Sequence, residues 1–112
     1  MSGPGGNKLF EGYKAENFHV EVAATTTLNP NNHRVHLRIP ASTTIVVTLP
    51  PVAACYGLYS INLVDLGASG VCTLQDQNES HDWADLTLDA TADGVVLFSD
   101  GFKWWVVHNT IA

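Results

Sequence analysis

Five histidines, eleven carboxylates and two cysteines are the side chains of this 112-residue chain that metal or acid–base chemistry would draw on. His33 and His36 lie three apart in an alternating segment. They therefore project to opposite faces of a strand, and cannot chelate one ion together without a bulge. His19, His81 and His108 are isolated in sequence, and Cys55 and Cys72 lack CxxC spacing. No metal site is expected; the histidines read as surface or interface residues. Asp76-Gln77-Asn78-Glu79-Ser80-His81-Asp82 alternates oxygen side chains as calcium loops do. An EF-type loop needs Gly where His81 stands and Glu where Thr87 stands, so a polar turn is the better reading.

Catalysis by carboxylate pairs needs acids gathered in a cleft. Asp82, Asp85, Asp89 and Asp93 instead occupy expected strand ends and turns, where Asp is favoured for backbone reasons. Ser99 precedes Asp100 and Gly101 in a hairpin and not in a G-x-S-x-G elbow. Gly3, Gly5 and Gly6 lead into no strand–helix unit that would cradle phosphate. The expectation is a protein that is not an enzyme and uses no cofactor. Trp83, Trp104, Trp105, Tyr56 and Tyr59 would suit a sugar platform, with core and interface packing the preferred alternative.

The elements that must position these residues read as strands. Phe18, Val20 and Val22 alternate with polar or small neighbours. Val35, Leu37 and Ile39 point one way, and Arg34, His36 and Arg38 form a basic stripe on the other side. Further strands are expected over residues 43–49 (stopped by Pro50-Pro51), 56–66, 71–76, 83–88, 95–99 and 102–108. Residues 23–32 read as loop, and no repeat of fixed period is visible. Eight strands without helical periodicity predict an all-β domain, a jelly-roll-like antiparallel sandwich over residues 17–112. Residues 1–16 read as an extended arm, broken by Gly3, Pro4, Gly5 and Gly6 yet carrying Leu9, Phe10 and Tyr13. Those three either fold back on the domain or grip a neighbouring chain.

Composition narrows the function classes. Only 14% of residues are charged, below the ~25% usual for soluble domains. Residues 1–64 carry four cations and three acids; residues 65–112 carry one cation and eight acids. Without a Lys/Arg cluster, nucleic-acid binding is not expected. No apolar run approaches the ~20 residues of a membrane span, and the first residues lack the apolar core of a signal peptide. Synthesis and retention in a cytoplasm fit Cys55 and Cys72 as buried free thiols better than as a disulfide.

The last hairpin is the most informative segment. A two-residue Asp100-Gly101 turn would pair Leu97 with Trp104 and Val95 with Val106 on one face. The other face would carry Val96, Phe98, Trp105 and Val107. Both faces are apolar, whereas the outer face of a monomeric sandwich is polar. The arm, a neighbouring loop or another copy of the chain must cover the second face. Another copy is the preferred cover. The basic stripe of Arg34, His36 and Arg38 is expected to meet acids such as Asp85 or Asp89 of a sister copy, or an acidic surface of another partner.

The pieces Leu49-Pro50, Gly57 to Val64, Gly70 to Asp76 and Val95 to Trp105, in that order, resemble a module of tailed-bacteriophage virion proteins. The shared pattern is an apolar strand ending in Leu-Pro, a Gly-led strand, a "G-V-x-T-L-x-D" strand and a "V-x-L-x-S-D-G-x-x-W" hairpin. It spans more than half of the chain, and its most specific part is Ser99-Asp100-Gly101 followed by Trp104. Such modules occur in head decoration (cement) proteins, head fibres and tail fibres, often as trimers. The resemblance implies a virion structural protein. A single compact domain with an arm, without shaft or repeats, suits a decoration protein on the capsid exterior. Its partners would be itself, as a homotrimer, and the major capsid protein. A receptor- or glycan-binding β domain of a fibre or tail is the alternative.

Overall fold

The computed structural model describes residues 18–81, 83 and 85–111. Nine strands are formed, in chain order β1 His19–Val22, β2 Thr26–Thr27, β3 Arg34–Ile39, β4 Thr44–Thr48, β5 Gly57–Leu66, β6 Val71–Gln75, β7 Leu86–Leu88, β8 Gly94–Ser99 and β9 Trp104–Asn109. A 3₁₀ turn at Val52–Ala54 is the only helical element among the described residues. Each of the eight expected strands has a counterpart. The addition is β2, inside the stretch read as loop.

The strands form two mixed sheets. Sheet A has the order β1-β3-β5-β8-β9 and sheet B the order β2-β4-β6-β7. From β1 to β6 the chain steps to the other sheet at every strand, and each strand pairs in parallel with the next one in its own sheet. Three windings of a coil result. Antiparallel pairings of β7 on β6, β8 on β5 and β9 on β8 then close it. This corrects the antiparallel, eight-stranded, jelly-roll-like arrangement expected from the sequence. Period-two alternation marks which face a side chain takes but is blind to strand direction. Parallel neighbours need a crossover of a dozen or more residues, and here a strand of the opposite sheet supplies it. Fifteen residues separate His19 from its partner Arg34, and twenty-six separate Arg34 from its partner Ser60. Windings so unequal leave no fixed period in the sequence.

One core lies between the sheets. Val35, Leu37 and Ile39 of β3, Ile45 and Val47 of β4, and Tyr59, Ile61 and Leu63 of β5 alternate into it. Cys72 and Leu74 of β6, Val95 and Leu97 of β8, and Trp104 of β9 join them. Both cysteines are buried and unbridged. Burial pushes the Cys72 thiol up to about 12 and raises that of Cys55, which makes both poor nucleophiles. Between its buried positions, sheet B carries Thr44, Thr48, Thr73, Gln75 and Thr87, with Gln75 Nε2 donating to Thr48 Oγ1 at 3.0 Å. With Val46 and Val71 the outward positions of these strands are all uncharged, which accounts for part of the low charge content.

The β8–β9 hairpin differs from expectation in register. Ser99 pairs with Trp104, Phe98 with Trp105 and Leu97 with Val106, so the loop is residues 100–103, four and not two. The Asp100 carboxylate is the cause. Its Oδ1 accepts the backbone N–H groups of Phe102 and Lys103, both at 2.8 Å, which wraps the chain around the side chain. Gly101 has a φ of 88°, a left-handed value that glycine adopts without steric cost. Next to the turn the register moves by two residues, so Leu97, Phe98, Trp104 and Trp105 keep their faces. Val95, Leu97 and Trp104 point into the core as expected, while Val106 is 36% exposed. A second irregularity between Val96 and Leu97 pairs Val96 with His108 and leaves Val107 as the extra residue.

Ser99 ties this hairpin to the rest of the fold. Fully buried, its Oγ lies 3.0 Å from the Cys55 carbonyl and 3.3 Å from that of Val52, to which it donates, and it accepts from Gly101 N at 3.1 Å. The hydroxyl thus fastens the turn to the 3₁₀ segment that comes after Leu49-Pro50-Pro51. Ser99→Ala strands the Cys55 carbonyl and the Gly101 N–H, and the expected loss is ~1–3 kcal/mol. Urea unfolding should show a lower midpoint at unchanged slope.

Candidate interaction face

Arg34, His36, Arg38, Val96, Phe98 and Trp105 lie on the outer face of sheet A. Its strand register defines three rows. Leu58, Phe98 and Trp105 form one; His19, Arg34, Ser60, Val96 and His108 the next; Glu21, His36, Asn62 and Gly94 the third. The face is therefore split. The β1–β3 half is charged, and the corner where β5, β8 and β9 meet is apolar.

In that corner Tyr56 is 72% exposed, Leu58 57%, Val107 58% and Trp105 37%, with Val96 and Phe98 half-buried. The Tyr56 ring meets Phe98 edge-on at 5.9 Å between centroids. Trp105 is held from two sides: its indole stacks on His81 at 3.9 Å, and its Nε1 donates to Asp100 Oδ2 at 3.1 Å. Rigid, half-exposed aromatic side chains of this kind anchor protein interfaces at low entropic cost. Val96, Phe98 and Trp105 thus lie on the outer face of β8 and β9, with Val107 the exposed bulge residue beyond them. Tyr56 and Leu58 belong to this corner too. The signal for them was their parity with Ser60, opposite the inward-facing Tyr59.

Arg34, His36 and Arg38 line the outside of β3, and acids of the same chain lie beside His36 and Arg38. Arg38 Nε donates to Glu21 Oε1 at 2.6 Å, and its Nη1 lies 3.9 Å from Asp65 Oδ2. A bulge between Leu37 and Arg38 sets Asp65, and not Val64, beside Arg38. The guanidinium holds the Glu21 carboxyl below its usual range, and the carboxylate in turn raises Arg38. Only Arg34 of the stripe has no ion-pair partner among the described residues.

The histidines also regroup. His19, isolated in sequence, lies beside His36, with Nε2 and Nδ1 2.9 Å apart, and Glu21 Oε2 is 3.3 Å and 3.4 Å from those two nitrogens. Alternation places His19 and Glu21 on one face of β1. That His36 lies next to them depends on the β1–β3 pairing, which no spacing reveals. His33 is structural: its Nδ1 donates to the Leu58 carbonyl at 2.8 Å, and its ring stacks between Phe18 and Tyr59. In the loop that resembled a calcium site, Asp76 Oδ2 accepts from Glu79 N, and Glu79 Oε1 accepts from Val52 N at 2.8 Å. These oxygens serve backbone N–H groups. Asp93, almost wholly buried, likewise accepts from the N–H groups of Asp89 and Ala90. The arm residues Leu9, Phe10 and Tyr13 lie outside the described residues. No protein-family model, curated protein or solved structure matches the chain.

Asp100 links the turn to the apolar corner, and its ionisation should be visible in stability. The N–H groups of Lys103 and Phe102, with a further contribution from the Trp105 indole, hold its carboxyl below the ordinary range. A depressed folded-state pKa stabilises the fold fully above the unfolded value near 4 and loses that effect as pH falls through the folded value. Asp100→Asn should therefore be less stable than wild type at pH 7. The gap should close progressively below pH 4, as monitored by urea titrations at each pH.

Proposed function

We propose that this chain is a non-catalytic structural protein of a tailed-phage virion, a capsid decoration (cement) protein that uses no cofactor. It is made in the host cytoplasm, binds the outside of the head and bridges major capsid subunits as a homotrimer. The observation that carries the reading is the apolar corner of sheet A, exposed on the outside of a closed β domain. Exposed contiguous apolar surface of this kind marks a site of association. Apolar area removed from water is worth ~25 cal/mol per Å², and Tyr56, Leu58, Phe98 and Trp105 are the side chains that would supply it to an oligomer without disulfides. The residues behind the virion-module resemblance also act structurally in this chain. Leu49 and Trp104 are buried, Gly57 has a φ of 97°, and Ser99 and Asp100 build the turn. Many modest contacts repeated on a fixed shell lattice retain such a protein through effective concentration. Residues 1–16 supply the grip on the shell.

A glycan- or receptor-binding role in a fibre or tail is the second reading. The exposed rings of Tyr56 and Phe102, 72% and 80% exposed, favour it. Quenching of tryptophan fluorescence by sugars would support it over the first.

Light scattering should give a trimer of the 12.1 kDa chain. Trp105→Lys should reduce it to a monomer that retains its β circular dichroism. A wild-type monomer at micromolar concentration overturns the self-association. Purified protein should sediment with empty capsids of its own virus, and deletion of residues 1–16 should weaken that binding. Failure of the full chain to sediment overturns the decoration role. Because Glu21 and Asp65 engage Arg38, Arg34→Glu should alter the salt dependence of assembly more than Arg38→Glu.

A further inference from the structure

The geometry points to a divalent transition-metal site at His19, Glu21 and His36, binding a first-row ion of the zinc, cobalt or nickel type. The three residues come from two neighbouring strands, β1 and β3, and offer two imidazole nitrogens and one carboxylate oxygen. That donor set suits borderline ions over calcium or magnesium, which prefer oxygen alone.

The separations suit one ion. With metal–ligand bonds of about 2.0–2.1 Å, adjacent donor atoms stand about 2.9 Å apart in an octahedral sphere and about 3.3–3.4 Å apart in a tetrahedral one. The three edges here are 2.9 Å from His19 Nε2 to His36 Nδ1, and 3.3 Å and 3.4 Å from Glu21 Oε2 to the two nitrogens. One triangular face of a coordination polyhedron is therefore already present. The second oxygen of Glu21 is engaged separately. Oε1 accepts from Arg38 Nε at 2.6 Å, an outer contact that leaves Oε2 turned to the imidazoles. All three residues are partly open to solvent, which leaves room for water at the remaining positions.

Without metal, the contact between the two rings needs an N–H on one nitrogen and a lone pair on the other. An ion replaces that proton. The proton leaves to solvent, and the same imidazole takes one up at its other nitrogen, so both rings ligate as neutral groups. The bound ion clips the four-residue edge strand β1 to β3. It thereby stabilises the fold by mass action at the β1 edge of sheet A. This site stands independently of the virion role.

Titration of the full chain with zinc chloride in chelator-free buffer, monitored by calorimetry, should show one ion per chain. Cobalt(II) should give visible ligand-field absorption, and zinc should raise the melting temperature. His19→Ala and His36→Ala should each weaken zinc binding at least tenfold and abolish the thermal shift. Glu21→Gln should weaken it less. His81→Ala and His108→Ala should leave it unchanged. Circular dichroism at 25 °C reports that each variant is folded. A Glu21→Asp variant, which keeps the charge and pulls the carboxylate back, should fall between wild type and Glu21→Gln. Absence of zinc binding at 100 µM by folded wild-type protein overturns the site, as does binding that survives His36→Ala or is lost instead with His81 or His108.

Discussion

The burial of Trp104 is the constraint on which much of the structure depends. Its indole is fully inaccessible and meets Tyr59 edge-on at 5.1 Å, on the inner face of sheet A at its β9 edge. Its backbone is held as tightly as its ring. Trp104 N donates to the Glu79 carbonyl, and its own carbonyl accepts from His81 N and from Trp83 Nε1. Residues 79–81 thus lie along the outer edge of β9 and cover it where the strand begins, protecting an edge that would otherwise pair with other chains. The 3₁₀ turn, the polar loop and the final hairpin are all fastened within a few residues of this side chain. Ser99, its cross-strand partner, ties the hairpin to the 3₁₀ turn, and Glu79 caps Val52 N. Trp104 Nε1 itself finds no acceptor among the described residues, a polar cost outweighed by the large apolar area of a buried indole.

Around that anchor, the coil decides what the outside looks like. Parallel strands are normally covered on both faces. Here each winding alternates, with one face in the core and the other outward, so the outer faces of both sheets carry information about partners. Sheet B presents hydroxyls. Sheet A runs from an ion-paired, histidine-bearing edge at β1 to an aromatic corner at β9. The two ends differ in what they can do. The charged edge is largely neutralised by contacts within the chain, and its distances suit a metal ion better than a second protein. The aromatic corner has few internal partners for its exposed rings, which is the condition for association.

The bulges connect these two levels. Each inserts one residue into a ladder and re-aims the side chains beyond it. The bulge at Leu37/Arg38 turns a valine away from Arg38 and brings Asp65 to it. The one at Val96/Leu97 leaves Val107 as the extra residue of the exposed β9 strand, at the margin of the aromatic corner. Both sit on the outer face of sheet A, where they adjust surface chemistry at little cost to the core.

Much of this was determined by the sequence alone. Alternation in residues 33–39 set Val35, Leu37 and Ile39 inward and the basic residues outward, because side chains of an extended chain must take opposite faces in turn. The same rule placed Phe98 and Trp105 outside and Leu97 and Trp104 inside. It holds although the turn has four residues and not two, because the register moved by an even number. Pro50-Pro51 marked a real strand end and Asp100-Gly101 a real hairpin turn, since the preferences of these residues are local. What only the tertiary structure decided was pairing: that β1, β3 and β5 run parallel, that Glu21 and Asp65 flank Arg38, and that His19 meets His36. Strand direction and neighbour choice depend on which crossover buries the most apolar surface across the whole chain, and no local spacing encodes that.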